Sequence, residues 1–164
     1  MNLLKILAAL IVLSMPVMSH AEHAIGFSAG VTKGVGLTYR NINEDTNLGI
    51  QITGIPVAAE DSGFLSGGVS GLLILNMSNL GKAFVSLGAG IIHTWDENDE
   101  LTLIGVGPGI GFEFQVAPTV GLSLELPIAA IFGAEVVEDE GIQKVELGLR
   151  GIMPIPSVSL VHIW

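Results

Sequence analysis

Apolar side chains alternate with small or polar ones along most of the chain. The clearest case is the stretch 101–116, in which Ile110, Phe112 and Phe114 share one parity and a run of glycines takes the other. Successive side chains of a β-strand point to opposite faces, so this period of two predicts strands with one apolar face. No stretch has the spacing of an amphipathic helix. The pattern predicts eight strands, at 24–32, 35–42, 47–58, 64–77, 82–95, 101–116, 119–136 and 143–163.

The composition of the second face decides which face lies inside. Alternation alone fits a soluble barrel with its apolar face inward and an outer-membrane barrel with its apolar face toward lipid. Here the second face is mainly Gly, Ser, Thr and Ala, whereas a strand face in water normally carries many charged side chains. Small side chains suit the narrow lumen of an eight-stranded barrel. The sequence therefore predicts an all-β fold, a single eight-stranded antiparallel up-and-down β-barrel, with its apolar face outward.

The first residues of the chain differ from the rest. One lysine precedes an apolar run at 6–17, and Ser19 and Ala21 are small residues in the relation that a signal peptidase reads. The run is shorter than the about 20 residues that a transmembrane helix needs. We predict a cleaved signal peptide at 1–21, export from the cytoplasm, and one β-barrel domain at 22–164.

Charge is scarce and mostly acidic. The chain is 49% hydrophobic and 13% charged, with a net charge of −10, while an average soluble domain has about twice that charged fraction. The acidic balance excludes a basic nucleic-acid surface, and the chain has no cysteine for disulfides. Most acidic residues cluster between predicted strands at one end of the barrel, together with the connection TKG at 32–34.

The densest acidic cluster predicts a solvated loop. Weak binding of a divalent cation, which would bridge the loop to lipopolysaccharide, is an alternative role. An EF-hand site is excluded, because Leu101 stands where that loop needs glycine. The cluster consists of Asp96, Glu97, Asp99 and Glu100.

A few charged residues fall on the small-residue face. Counted from the turn at 117–119, Glu113 and Glu125 point into the lumen at similar height, and Arg40 lies toward the same end of its strand. Two carboxylates in a lumen of low dielectric constant repel each other, and an arginine allows both to stay ionised. We predict a buried cluster that rigidifies the barrel, with a transport or catalytic role as the alternative. Its members are Arg40, Glu113 and Glu125, extended by Glu146 and Arg150.

The chain ends inside an apolar-periodic stretch, VSLVHIW, with Trp164 as the last residue. In this feature, and in its signal peptide, alternating segments and acidic loops, it resembles the family of small bacterial outer-membrane β-barrel proteins. Val158, Leu160 and Trp164 match the outward apolar positions of the family, whereas His162 stands where Tyr or Phe is more usual. The resemblance implies that Trp164 belongs to a C-terminal signal for the barrel-assembly machinery. Candidates for the aromatic girdles are Tyr39, Trp95, Phe132 and Trp164.

Motifs that resemble catalytic or nucleotide sites have a simpler explanation as strands. The glycines at 105–111 recur at every second position and lack the helix that a nucleotide loop needs. The stretch 26–30 spells the G-x-S-x-G of a hydrolase, yet Ser28 falls inside a predicted strand. No two histidines have metal-ligand spacing. We predict no enzymatic activity, no metal and no cofactor.

Together these patterns predict an outer-membrane barrel with a structural or interaction role and a small, glycine-lined lumen. We expect a monomer that contacts outer-membrane lipid and lipopolysaccharide and binds no nucleic acid. One alternative is a soluble periplasmic, lipocalin-like barrel that binds an apolar ligand. Another is a lipid-modifying outer-membrane enzyme, with a lipid tail entering where prolines weaken the strand ladders. The prolines within predicted strands are Pro56, Pro108, Pro127 and Pro154.

Overall fold

A computed structural model of the chain describes residues 21–58, 62–78, 81–96, 100–139 and 142–164. No helix among these residues is long and apolar enough to cross a membrane. The predicted signal peptide lies outside the described residues except for Ala21. The strands are β1 (Ala21–Gly30), β2 (Gly34–Asn43), β3 (Leu48–Ala58), β4 (Gly63–Ser78), β5 (Gly81–Trp95), β6 (Glu100–Ala117), β7 (Val120–Asp139), β8 (Ile142–Pro154) and β9 (Ser157–Ile163).

The strands form one closed antiparallel barrel. Each strand from β1 to β7 pairs with the next, and β7 pairs with β8 and β9 along successive parts of its length. The barrel closes where β9 pairs with β1, from Ala24↔Ile163 to Ala29↔Val158. The predicted eight-stranded antiparallel barrel is confirmed. Its eighth strand differs from the prediction, because Ile155 and the following proline separate it into β8 and β9.

The interior of the barrel is mainly polar, and its outer surface is apolar. One apolar cluster is buried inside, formed by Ile42, Leu72, Ile74 and Phe84. On β7, Leu124 and Leu126 are exposed while Ser123 and Glu125 between them are buried. A lipocalin-like barrel would need the reverse arrangement, so the prediction of an apolar outer face is confirmed and that alternative is wrong. The buried polar side chains of the strands include Ser28, Thr38, Gln51, Thr53, Ser66, Ser70, Ser86, Ser123 and Ser159.

Aromatic and histidine rings lie at both ends of the outer surface. At the terminal end of the barrel, which holds Ala21 and the C-terminus, Trp164 stacks on His23 with ring centroids 6.1 Å apart. The hydroxyl of Tyr39 lies 2.9 Å from Nδ1 of that histidine. At the opposite, loop end, Trp95 stacks on His93 with centroids 5.1 Å apart. Such rings are typical of the interface between lipid and water.

The turn between β1 and β2 lies inside the barrel. Thr32 is 1% exposed and Lys33 is 2% exposed. The sequence predicted these residues at the rim with the acidic loops, and this placement is wrong. The turn can fold inward because the facing wall carries glycines, whose missing side chains leave room for another stretch of backbone.

Candidate functional site

The buried charges of the lumen lie at two levels. The level nearer the terminal end, which we call the basal cluster, contains Glu22, Arg40, Lys82 and Glu113. Arg40 and Glu113 form a bidentate pair: Nη1 donates to Oε2, and Nη2 donates to Oε1 at 3.0 Å. Because β2 and β6 face each other across the eight-stranded barrel, this pair braces the lumen from wall to wall.

Two further side chains balance the charge of this pair. Nη2 of Arg40 lies 3.3 Å from Oε1 of Glu22, and Glu22 also pairs with Lys82. Nζ of Lys82 lies 3.9 Å from Glu113, whose Oε2 accepts a hydrogen bond of 2.7 Å from Ser123. Two acids and two bases leave no net charge in this part of the lumen, which reduces the cost of burying them.

The sheet register brings the basal cluster together. Lys82 on β5 is the direct partner of Glu113 on β6, and Glu113 is the direct partner of Ser123 on β7. Direct cross-strand partners point to the same face of a sheet. Two ion pairs then join this side of the wall to the opposite side, one from Arg40 on β2 to Glu113 and one from Glu22 on β1 to Lys82.

The second level is an ion pair between Lys33 and Glu125. Oε1 of Glu125 accepts a hydrogen bond of 2.6 Å from the hydroxyl of Ser86, and Lys33 pairs with its other oxygen. Nζ of Lys33 also lies 5.4 Å from the centre of the Phe84 ring, a distance at which a cation is attracted to an aromatic face. Glu125 is thus bound to the turn between β1 and β2.

The structure divides the predicted charge cluster. It brings Arg40 and Glu113 together but gives Glu125 a separate partner. Arg150 lies on β8 with an exposed side chain over Gly133, away from both levels. The side chain of Glu146 lies outside the described residues.

Sequence reasoning missed three members of the two levels. Glu22 and Lys82 have the inward parity of their strands. Correct strand register would have placed Lys82 beside Glu113 and Glu22 near Arg40 on the neighbouring strand. Lys33 carried no such signal, because a lysine in a turn normally lies in water.

The acidic loop lies at the loop end, and the structure describes it in part. Asp96 and Glu100 are exposed, and Glu97 and Asp99 lie outside the described residues. A carboxylate oxygen of Glu100 lies 3.9 Å from Nδ1 of His93. The described part of the chain has no group of three or more His, Cys, Asp or Glu side chains that could hold a metal ion. Weak binding of a divalent cation stays a prediction.

The weakening of a strand ladder that the prolines predict occurs between β6 and β7, where the pairing is interrupted. Between β6 and β7 the pairs run from Thr102↔Ala134 to Val106↔Ala130 and resume at Gly109↔Pro127. Pro108 lies within this interruption and has no N–H to donate. An outer groove of about 690 Å³ lies nearby, lined by Leu75, Ile110, Phe112, Leu124, Leu126 and Pro156 among other residues.

Trp164 is bound into the wall by its backbone. Its N–H donates to the carbonyl of His23 at 3.0 Å, and the N–H of His23 donates back at 3.2 Å. The C-terminal residue therefore takes part in the pairing that closes the barrel. Its role as an assembly signal stays a prediction.

Comparisons with known proteins identify the fold. No family model matches the chain, and no curated protein matches it. Among solved structures, the chain is similar to the NMR solution structure of the E. coli Outer Membrane Protein W, with 11% sequence identity and a TM-score of 0.50. The similarity covers 90% of this chain and 100% of that chain. The chain therefore has the fold of a bacterial outer-membrane β-barrel.

Proposed function

We propose that the mature chain is an integral outer-membrane protein with a structural or interaction role and without catalytic activity. The observation that carries this proposal is the orientation of the faces: most of the buried side chains are polar, and most of the large apolar side chains are exposed. An apolar outer surface of this extent is unstable in water and stable in lipid.

The height of the apolar band fits a bilayer. On β5 the outward positions from Ala83 to Ile91 are apolar, and the following outward positions are His93 and Trp95. At about 3.3 Å per residue and a tilt of about 40°, the stretch from Ala83 to His93 spans about 25 Å along the membrane normal. That is the height of the apolar band of outer-membrane barrels.

The contacts inside the lumen support a role without catalysis. Glu113 and Glu125 are both paired with cations, so neither is free to act as a base. The hydroxyl of Ser28 donates to Ser159 at 2.6 Å and accepts from Gln51 at 2.9 Å. Such a serine lacks the histidine partner of a hydrolase nucleophile. We propose that these side chains stabilise the folded barrel.

The partners in this proposal follow from the two ends and the wall of the barrel. The wall contacts outer-membrane lipid, and the acidic loops face lipopolysaccharide at the loop end. The terminal end presents Trp164 to the barrel-assembly machinery during biogenesis. The protein works as a monomer, without a cofactor.

Cell fractionation tests the proposal directly. When the full chain is expressed in a Gram-negative host, we expect the mature protein in the outer-membrane fraction, resistant to extraction by carbonate and released by detergent. A soluble periplasmic maltose-binding protein serves as the control. Recovery of the protein in the periplasmic fraction without detergent would contradict membrane insertion.

Replacement of Leu87 by arginine tests which side of the wall meets lipid. Leu87 is 65% exposed and lies in the middle of the apolar band, where an arginine costs about 2–4 kcal/mol in an outer-membrane barrel. We expect the unfolding free energy in lipid vesicles to fall by that amount, measured by urea titration. The control, Leu87→Ala, introduces no charge. Equal stability of the two variants would place Leu87 in water.

A further inference from the structure

The wall of the barrel has a gap at the loop end. The chain turns into the lumen between β1 and β2, whereas the strands on either side of this hairpin continue beyond it. Among the described strands, residues 55–58 of β3 pair with β4 alone, and β8 pairs with β7 alone. We call the gap between these two free edges the notch.

Side-chain exposure shows that the described chain leaves the notch uncovered. Val57 on β3 and Met153 on β8 have the inward parity of their strands, yet they are 54% and 43% exposed. On β9, by contrast, the inward side chains of Ser157 and Ser159 are buried. On β8 the residues 147–150 are exposed in both parities. Both edges therefore lack the neighbouring strand that buries inward side chains elsewhere in the wall.

The upper part of β8 lies above the apolar band. His93, at the top of the band on β5, shares a ladder line through β6 and β7 with Leu147 on β8. The line that starts at Gly81, beside a turn at the terminal end, reaches Leu160, four residues before the C-terminus. Ladder lines thus rise from β5 toward β8, by about 3 Å per strand at a tilt of about 40°. Leu147 therefore lies about 9 Å above His93, outside the hydrocarbon layer.

The β8 edge has backbone groups that point into the notch. The N–H of Ile155 donates to the carbonyl of Pro127 on β7 at 3.2 Å. In an antiparallel ladder, successive residues point their N–H and C=O groups alternately toward and away from the neighbouring strand. The N–H and C=O of Ile152, three residues earlier, therefore point away from β7. An edge of this kind is a template for pairing with another strand.

The notch has the width of two strands. Lower in the wall, β9 continues the line of β8 along β7, and β1 and β2 lie between β9 and β3. Without β1 and β2, the two free edges are three strand spacings apart, about 14 Å. A β-hairpin fills this space, with one strand beside β8 and the other beside β3. Because β8 has 13 residues, the strand beside β8 makes the longer ladder.

A second copy of this chain does not fit the notch. Two barrels in one membrane both stand upright, so their strands have the same tilt of about 40° to the membrane normal. Where two such barrels meet edge to edge, their strands cross at about twice that angle. Neighbouring strands of a sheet are rotated by only about 20–25°. The partner is therefore a different protein, whose hairpin can align with β8.

The charge around the notch favours a basic partner. Acidic residues occur in both connections that border it, the one after β3 and the one between β7 and β8, and they outnumber the two basic residues of β8, Lys144 and Arg150. Potentials of opposite sign steer two proteins together and suppress wrong partners. The acidic residues are Glu60, Asp61, Glu138, Asp139 and Glu140.

We propose that the notch binds a cationic β-hairpin of another cell-surface protein, which completes the wall at the loop end. This inference specifies the interaction role proposed above, and it rests on the membrane insertion that turns the loop end toward the outside of the cell. The backbone of the hairpin extends the sheet at β8, as in other cases of strand addition. Its apolar side chains cover Val57 and Met153, and its basic side chains meet the acidic connections.

Titration with a synthetic hairpin tests the notch. The probe has two strands of alternating valine and lysine joined by an Asn-Gly turn. The control is the same peptide with N-methyl groups on its outer edge amides, which has the same charge but cannot pair with β8. The mature chain is inserted into phosphatidylcholine vesicles, which are floated on a density gradient before calorimetry. We expect one hairpin to bind per chain, and the methylated peptide to bind about tenfold more weakly.

The outcomes of this titration separate the two proposals. Inserted protein that binds neither peptide, or binds both equally, would overturn the hairpin site and leave membrane insertion intact. Failure of the chain to float with the vesicles would overturn membrane insertion, and with it the inference that rests on it.

A matched pair of variants locates the binding edge. Ile152→Pro removes the N–H that points into the notch, and Ile152→Ala keeps it. The side chain of Ile152 is exposed, so its loss alone changes packing little. We expect the Kd of the hairpin to rise about fivefold for Ile152→Pro, the effect of one backbone hydrogen bond, and to stay unchanged for Ile152→Ala. Equal Kd values for two variants that both insert would show that β8 is not the edge that pairs.

A second pair of variants tests the charge of the notch. Glu60→Gln with Asp61→Asn removes two charges beside the notch, and Asp96→Asn with Glu100→Gln removes two from the β5–β6 connection. We expect the first pair to raise the Kd about threefold at low salt and the second pair to change it less. Equal effects would contradict binding in the notch, because they would reflect only the overall charge of the loop end.

Discussion

Replacing Arg40 by alanine is expected to lower the unfolding free energy of the barrel by about 3–5 kcal/mol, the usual cost of removing one partner from a buried ion pair. Arg40 and Glu113 are both 3% exposed, so water cannot take the place of the lost guanidinium. The carboxylate would keep Ser123 and the more distant Lys82 as partners. Urea titration in detergent micelles measures the loss.

A second variant shows whether the loss comes from the unpaired charge. Adding Glu113→Gln to Arg40→Ala removes that charge, and the double variant should be more stable than Arg40→Ala alone. Reduced packing alone would make the double variant no more stable. An unaltered unfolding midpoint for Arg40→Ala would show that the bidentate pair does not form.

Replacing Gly26 by valine is expected to open the barrel where it closes. A Cβ atom at this position would overlap the carbonyl oxygen of Leu160 and lie 2.6 Å from Cα of Val161. Both are backbone atoms of β9, which cannot move without separating β9 from β1. We expect a loss of about 4 kcal/mol, at the upper limit of single substitutions, or failure to fold.

The folded fraction of this variant is measured from its mobility on electrophoresis with and without heating. The matched control is Gly148→Val, because a Cβ atom at Gly148 meets nothing within 4 Å. Equal folded fractions for the two variants would contradict the close approach of β1 and β9.

The wall of the barrel could be predicted from the sequence because its signal is local. The alternation of Leu124 and Leu126 with Ser123 and Glu125 is visible within a few residues. It indicates that the segment is a strand, which side chains share a face, and which face points outward. Arg40 and Glu113 could be assigned to the lumen in the same way, since parity alone places a charged side chain on the small-residue face.

The partner of Glu125 could not be predicted because it depends on the path that the turn between β1 and β2 takes into the lumen. Nothing near Lys33 in the sequence indicates that its turn leaves the wall. The information is spread over the glycines of three distant strands and over Pro56 and Pro156, which end the ladders. Of the four prolines that predicted a weakened ladder, Pro56 alone is one of these two, and its place beside the hairpin is evident only from the register.

The buried turn between β1 and β2 also connects contacts that form at different stages of folding. The β1–β2 hairpin is a contact between neighbouring strands and can form early, whereas closure requires β9, whose Ser159 bonds Ser28 across 131 residues of sequence. The turn packs against glycines of β4, β5 and β6, so it reaches its final position only when these strands are in place. The strands on either side of this turn thus join the most local and the most distant contacts of the barrel, and the closing pair of strands encloses the first turn of the chain.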